Sequence, residues 1–166
     1  MLQHTLSMYP LPVAIVIIVS VCSHCVVWLV SCPPLTQPSP FLLDVYDMLR
    51  DKKTTQVLTL LSYRGEDMMR LRDWGGSTLF MRASGYGNME VVVEMEKVVG
   101  CTPLAVNVLG NTALHRAALF GHSEMVRYLS NNYPSMLNMR NKWGNTPFVE
   151  ATRYYHTETE RVFREM

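Results

Sequence analysis

Residues 110–122 read GNTALHRAALFGH, and they contain the start and end signals of one short helix. Thr112 is a natural N-cap, because its hydroxyl can accept an unpaired backbone N–H of the helix that follows. Leu114 and Ala118 lie at helical spacing on a narrow apolar face. Gly121 can end the helix in the left-handed conformation. A second helix is predicted directly after this stretch. Together the two helices form a helix–turn–helix unit, which cannot bury its apolar face alone.

The same pattern occurs three times at a fixed spacing. Gly76 and Gly144 lie 34 residues before and after Gly110. The positions of Ala117 and Glu124 are also occupied by alanine and glutamate in both flanking copies. Because neighbouring units can bury each other's apolar faces, this period predicts a stack of repeats. In the central copy, Ser123 is expected to cap the second helix.

The central copy resembles the ankyrin-repeat motif G-x-T-P-L-H-x-A-A-x-x-G-H at all but one fixed position, where Ala113 replaces the proline. Tetratricopeptide repeats also have a period of 34 residues, but their large aromatic residues are missing from the expected places. The resemblance implies an all-α solenoid of stacked helix–turn–helix units with hairpin-like turns. It also implies a structural role for the motif positions Gly110, Thr112, Leu114, His115, Ala117, Ala118 and Gly121.

The flanking copies depart from this motif. Met81 and Val149 stand where the family has histidine, and Tyr155 stands at the position of Gly121. A left-handed turn at Tyr155 would be strained, because only glycine adopts that conformation freely. We therefore expect the flanking copies to be weaker than the central one.

The repeats divide the body of the chain into four parts. Full copies are predicted at residues 73–106 and 107–140, and a partial C-terminal copy at 141–166. Residues 41–72 are interpreted as a degenerate capping repeat, because three apolar residues lie one period before those of the first full copy. These are Val57, Leu58 and Leu61.

The N-terminal part of the chain has a different composition. The first charged residue is Asp44, and residues 11–32 read LPVAIVIIVSVCSHCVVWLVSC. A helix of this length spans roughly 33 Å, which is enough to cross the hydrocarbon core of a bilayer. We therefore predict an N-terminal tail at 1–10, a single transmembrane helix at 11–32 and a Pro-rich linker at 33–40.

Two alternatives to the membrane helix remain open: a cleaved signal peptide, and an atypical N-terminus that never meets a membrane. A signal peptide usually has a positively charged start, and residues 1–10 contain no Lys or Arg. The basic residues Arg50, Lys52 and Lys53 follow the apolar segment and favour a single-pass membrane protein with its repeat domain in the cytosol. The alternative localisation is cytoplasmic and soluble.

The composition disfavours several other classes of function. With 15 basic and 14 acidic residues, the chain lacks the positive charge that nucleic-acid binding needs. Cys22 and Cys25 lie within the apolar segment without a second ligand pair, so no zinc site is predicted. The body has no phosphate-binding glycine loop and no recognisable nucleophile–histidine pair. We therefore predict no enzymatic activity, no cofactor, no metal and no small-molecule substrate.

The resemblance implies a concave face of turn tips and first helices that binds a partner protein. Several residues at these positions are large and apolar or aromatic, as interface anchors often are. The alternative is that some of them fold back onto neighbouring repeats. The candidates for partner binding are Trp74, Tyr86, Val108, Leu109, Leu119, Phe120, Lys142, Trp143, Arg153 and Tyr154.

Three functions are consistent with these features. The first is a membrane-tethered ankyrin-repeat adaptor or scaffold, with a protein partner and with membrane contact through residues 11–32. The second is a regulatory fragment of a larger ankyrin-containing channel, transporter or enzyme. The third is a soluble repeat protein whose N-terminal segment is unused or removed.

Overall fold

The computed structural model describes residues 40–166, and in this part the chain is entirely helical apart from turns and one isolated bridge between Arg72 and Thr78. The predicted all-α class is therefore confirmed for the described residues. One 3₁₀ helix covers Pro134–Asn138. The α-helices are α1 Pro40–Arg50, α2 Thr54–Arg70, α3 Leu79–Gly85, α4 Met89–Glu96, α5 Ala113–Leu119, α6 Ser123–Asn132, α7 Pro147–Arg153 and α8 Thr157–Arg164.

The predicted tail at 1–10, the predicted membrane helix at 11–32 and the linker up to residue 39 lie outside the described residues. Among the helices within 40–166, none is both long enough and apolar enough to cross a membrane. The end of the predicted linker needs a correction, because α1 already begins at Pro40. Proline is tolerated there, since its missing N–H would have no partner in the first turn of a helix.

The helices form four antiparallel pairs that stack side by side. The first helices α1, α3, α5 and α7 contact one another in sequence, while α2 contacts α4 and α6 contacts α8. Ala83, Ala117 and Ala151 occupy one equivalent position on three first helices and are completely buried. Small side chains at this position allow close helix packing, and one continuous core runs through the stack.

The first and the second helices of the repeats begin differently. Thr78, Thr112 and Thr146 each accept a backbone N–H through the side chain at the start of α3, α5 and α7. The expectation that Ser123 caps α6 is wrong, because Ser123 is already the first helical residue. The preceding His122 makes no side-chain cap either. Its ring Nε2 instead lies 3.0 Å from the carbonyl oxygen of Gly85, so it connects two repeats.

Candidate partner-binding groove

The central and the third repeat each open with a tight turn that an asparagine side chain stabilises. The Oδ1 of Asn107 accepts the backbone N–H of Leu109 at 3.0 Å. One repeat later, the Oδ1 of Asn141 accepts the N–H of Trp143 at 3.1 Å. Gly110 completes the first of these turns with a φ of 75°, which glycine adopts without strain. The two turns therefore hold Leu109 and Trp143 at equivalent places on their tips.

Hydrogen bonds between neighbouring turns align the tips in a row. The N–H of Val108 donates to the carbonyl of Gly75 at 2.9 Å, and the N–H of Lys142 donates to that of Leu109 at 2.9 Å. Side chains add a further link, since Nδ2 of Asn141 donates to Oδ1 of Asn111 at 3.0 Å. The tip residues therefore project from a fixed frame rather than from independent loops.

A groove of about 340 Å³ lies between the central and the third repeat. Its walls come from α5, α7 and the two turn tips. Five of the ten residues predicted to bind a partner line it, together with four residues that were not among those candidates. The lining residues are Leu109, Asn111, His115, Arg116, Leu119, Trp143, Glu150, Arg153 and Tyr154.

The other five predicted residues lie outside the groove. Trp74, Val108 and Lys142 are exposed on the turn tips. Tyr86 is half-buried at the end of α3, and Phe120 follows the end of α5. Phe120 folds back in part, because its ring centroid lies 5.1 Å from the guanidinium carbon of Arg116. The predicted set is thus split between the groove, the row of tips and the edge of the preceding repeat.

His115 forms the floor of the groove and is buried. Its Nδ1 lies 2.9 Å from the hydroxyl of Thr112, and its Nε2 lies 3.0 Å from the carbonyl oxygen of Asn145 in the next repeat. A carbonyl oxygen only accepts, so Nε2 carries the proton and Nδ1 accepts from Thr112. Burial lowers the pKa of His115, and the ring is therefore neutral at physiological pH. The side chain of His115 therefore connects the central repeat with the third repeat.

Glu150 also lines the groove, and its carboxylate is hydrogen-bonded within the protein. Its Oε1 accepts hydrogen bonds from Nδ2 of Asn141 at 2.8 Å and from Nδ2 of Asn145 at 2.9 Å. The side chain is buried. Two amide donors bind one oxygen of this buried carboxylate, so Glu150 holds the turn of its own repeat in shape.

Arg116 is a groove residue that the motif did not reveal. Its Nε is buried and has no hydrogen-bond partner among residues 40–166. Burial lowers the pKa of Arg116, and the positive charge of Arg82 lowers it further. The motif leaves the residue after His115 undefined. The one sequence signal is that this residue lies on a first helix, in the layer from which the resemblance builds the concave face.

The histidine and the glutamate of the groove are engaged in hydrogen bonds within the protein. Within residues 40–166, no three metal-ligating side chains of the His, Cys, Asp and Glu types come together. The groove's histidine is buried in hydrogen bonds to Thr112 and Asn145, and its glutamate is bonded to two amides. What remains accessible is an aromatic and aliphatic wall beside arginine side chains.

The stacked helix pairs, with hydrogen-bonded turns at one edge, define a helical repeat solenoid. Residues 99–151 match a family model described as ankyrin repeats in many copies. The described structure is similar to a chain in the crystal structure of the yeast ribosomal protein Rps3 in complex with its chaperone Yar1. The TM-score is 0.66 at 24% identity, over 75% of this chain and 91% of that one.

A curated relative shares part of the sequence. A probable E3 ubiquitin-protein ligase of rice (Oryza sativa subsp. japonica), XBOS32, is 34% identical over 87 residues. These residues are 52% of this chain but only 17% of the rice protein. The match to the ankyrin-repeat model over residues 99–151 confirms the resemblance that the central motif predicted.

Proposed function

We propose that this protein is a non-enzymatic protein-interaction module that contacts its partner through the groove between the central and the third repeat. The observation that carries the proposal is the exposure of two large aromatic side chains that the third repeat contributes to this groove. Trp143 is 60% exposed and Tyr154 is 52% exposed. Aromatic side chains held on rigid elements are the most frequent anchors of protein interfaces.

The frame that holds these side chains supports the same function. Trp143 is placed by a turn whose backbone bonds to Asn141 and to the neighbouring tip, and Tyr154 follows directly after α7. Little conformational freedom would be lost in the backbone when a partner binds. Preorganisation of this kind lowers the entropy cost of association.

The comparisons are consistent with a binding role. A chain of similar fold occurs in a complex of a ribosomal protein with its chaperone. The likeness at 24% identity concerns the fold alone, so we do not propose the same partner. The rice relative is a probable ligase, but the shared repeats cover too little of it to suggest that activity here.

Membrane tethering is the finer part of the proposal and depends on the sequence of residues 11–32. The uncharged segment has the length of a membrane span, and the first basic residues follow it. Carbonate extraction of cell membranes, with a tag at Met166 and intact-mass measurement, tests the tether. Full-length protein in the pellet is expected. Full-length protein in the supernatant would contradict tethering, and a shortened product would indicate cleavage.

A second candidate function is a regulatory part of a larger protein. It is favoured by the length of the rice relative, in which the matching repeats are a small fraction of the whole. A longer transcript with further membrane spans or a catalytic domain would support this candidate. In that case the groove would bind within the larger protein or its complex.

Site-specific photo-cross-linking tests the binding function directly. The photoreactive residue p-benzoyl-phenylalanine is placed at Trp143 in the full chain, and at Tyr63 on α2 as a matched control. Tyr63 is 83% exposed but belongs to a second helix away from the turn tips. Cross-linking in cells is expected to give a discrete protein adduct from position 143 and none from position 63. Equal adducts from both positions, or none from either, would contradict the proposal.

A further inference from the structure

Charge is unevenly distributed between the two layers of the stack. The turn tips and first helices of the three copies (residues 73–86, 107–120 and 141–154) contain four basic residues and two acidic ones. The second helices α4, α6 and α8 contain six acidic and three basic residues. The face formed by tips and first helices therefore has the opposite charge balance from the second helices.

Both acidic residues of that face are bonded within the protein. Asp73 accepts from Arg82 through Oδ2, with Nε of Arg82 at 2.8 Å, and from the backbone N–H of Ser77 at 2.7 Å through Oδ1. Glu150 accepts from two asparagine amides. Neither carboxylate therefore neutralises the remaining arginines of the face.

Arg116 and Arg153 are the arginines that remain. Neither forms an ion pair within the described part of the chain, although exposed arginines of α6 and α8 form several. Arg116 is half-buried, and its Nε has no hydrogen-bond partner there. Arg116 lines the groove without a paired carboxylate, so a ligand carboxylate that reaches its guanidinium from the groove would gain a charge-assisted hydrogen bond.

The surroundings of Arg116 define what such a ligand must look like. The ring of Phe120 supports the guanidinium from one side at 5.1 Å, while Arg116 and Arg153 both line the groove. Trp143 and Tyr154 provide apolar surface in the same groove. An acceptor that reaches Arg116 therefore meets a second cation and aromatic side chains at the same time.

We propose that the partner presents an acidic protein segment to this groove, with an aspartate or glutamate side chain bound by Arg116 and an apolar side chain beside Trp143. This inference deepens the proposed binding function and rests on it. A carboxylate matches the planar fork of a guanidinium with two parallel hydrogen bonds. A basic segment is disfavoured, because it would bring further positive charge to Arg116 and Arg153.

A peptide selection tests this chemistry while the partner itself is still unidentified. Random twelve-residue peptides displayed on phage are selected against the full chain purified in mild detergent, and the enriched sequences are synthesised. Peptides with aspartate or glutamate near an aromatic or aliphatic residue are expected to dominate. Enrichment of neutral or basic peptides would overturn the inference.

Matched variants then locate the bound carboxylate. Arg116→Gln is expected to weaken binding of the best peptide by about tenfold or more, because a charge-assisted hydrogen bond is lost. Arg127→Gln on α6 removes an exposed arginine of equal charge and should change binding by less than about twofold. Replacing the peptide's acidic residue by its amide should weaken wild-type binding equally and add no further loss in Arg116→Gln.

Two outcomes separate this inference from the binding function itself. If Trp143→Ala weakens peptide binding while Arg116→Gln does not, the groove binds proteins but the acidic inference is wrong. If neither substitution affects binding, both the inference and the proposed groove are wrong. Circular dichroism of each variant confirms that the fold is retained, so that a loss of binding reports on contact.

Discussion

Gly121 has a φ of 74°, and a Cβ added to it would lie 2.5 Å from Nδ1 of His156. The ring of His156 must stay in place, because its Nε2 lies 2.9 Å from the carbonyl oxygen of Leu119 in the preceding repeat. Glycine is thus required at position 121 for two reasons: its backbone conformation, and the lack of room for a Cβ beside the ring of His156. Gly87 stands in the same relation to His122, with the corresponding distance at 2.8 Å.

We predict that Gly121→Ala lowers the free energy of unfolding by at least about 2 kcal/mol, from backbone strain together with displacement of the His156 ring. Gly144→Ala is the matched control. Gly144 has a φ of 77°, but a Cβ added to it would meet no atom within 4 Å, so this variant reports backbone strain alone, at about 1 kcal/mol. Urea denaturation measures both. Equal losses of unfolding free energy in the two variants would show that the ring of His156 moves aside without cost.

Tyr155 occupies the position of Gly121 in the third copy and has a φ of 58°. Its side chain is 86% exposed, so it gains little packing for this strain. We predict that Tyr155→Gly raises the free energy of unfolding by up to about 1 kcal/mol. Tyr63→Gly, at an exposed position within α2, should instead lower it by about 1 kcal/mol. A loss of stability in Tyr155→Gly would mean that the tyrosine makes a contact worth more than its strain.

Burial of His115 makes stability depend on pH. Its pKa is lowered in the folded protein, so the unfolded chain binds the proton more tightly between the folded pKa and about pH 6.5. The contribution of neutral His115 to the free energy of unfolding is therefore complete above about pH 6.5. It decreases as the pH drops toward the folded pKa. Burial also lowers the pKa of His122, which acts in the same direction.

We predict that wild-type protein loses more stability than His115→Gln when the pH is lowered from about 7.5 to 5.5. The difference is up to about 1.4 kcal/mol, the value of one pKa unit for a single group. Urea denaturation at both pH values measures it. The comparison uses the pH-dependent part only, since His115→Gln also removes hydrogen bonds and lowers stability at every pH. Equal pH dependence in the two proteins would show that His115 does not titrate as described.

At the scale of single helices, the central repeat is packed on both sides by its neighbours. Leu114 on α5 is completely buried, and α5 lies between α3 and α7. We predict that Leu114→Ala lowers the free energy of unfolding by about 2–5 kcal/mol through an internal cavity. Leu104→Ala, at a half-exposed position before the turn, should change it by less than about 0.5 kcal/mol. Similar effects of the two substitutions would mean that the core is not continuous at α5.

Helix starts and ends could be predicted from the sequence where the residue type itself suits the position, as threonine suits an N-cap and glycine a left-handed turn. Thr112 precedes α5 directly, and Gly121 follows its C-terminus in the left-handed conformation. The second helix was placed less well, because Ser123 was expected as a cap and is in fact the first helical residue. The 3₁₀ helix after α6 was not predicted at all, since it packs between α6 and α7 and has only Pro134 as a local signal. The exact limits of the repeat units stay a prediction.

The groove was partly predictable for a similar reason. Leu109 and Trp143 could be named because the motif assigns turn tips to the exposed side, whatever residue is there. Arg116 could not, because its importance lies in an absence: among residues 40–166, no acceptor binds its buried Nε. Asp73 in the preceding repeat pairs with Arg82 instead of with Arg116, and a repeat motif does not contain information about such pairing. Whether these residues bind a partner stays a proposal.

For the molecule as a whole, stability and binding depend on different layers. The core and the connecting histidines hold neighbouring repeats together, while the turn tips and first-helix ends face outward. Because each repeat contacts only its neighbours, a groove between two repeats is as well ordered as their shared interface. Substitutions in the core should therefore abolish binding through unfolding, whereas substitutions at the rim of the groove should change binding alone.

The measurement that tests the central claim most directly is the affinity of Trp143→Ala for the cross-linked partner, together with its thermal unfolding. Tyr63→Ala serves as the control at an exposed aromatic position outside the groove. Trp143→Ala is expected to bind about tenfold or more weakly, as for an interface anchor, with an unfolding midpoint close to that of the wild type. Unchanged affinity, or a loss of affinity matched by a fall in the unfolding midpoint, would contradict the assignment of this groove as the binding surface.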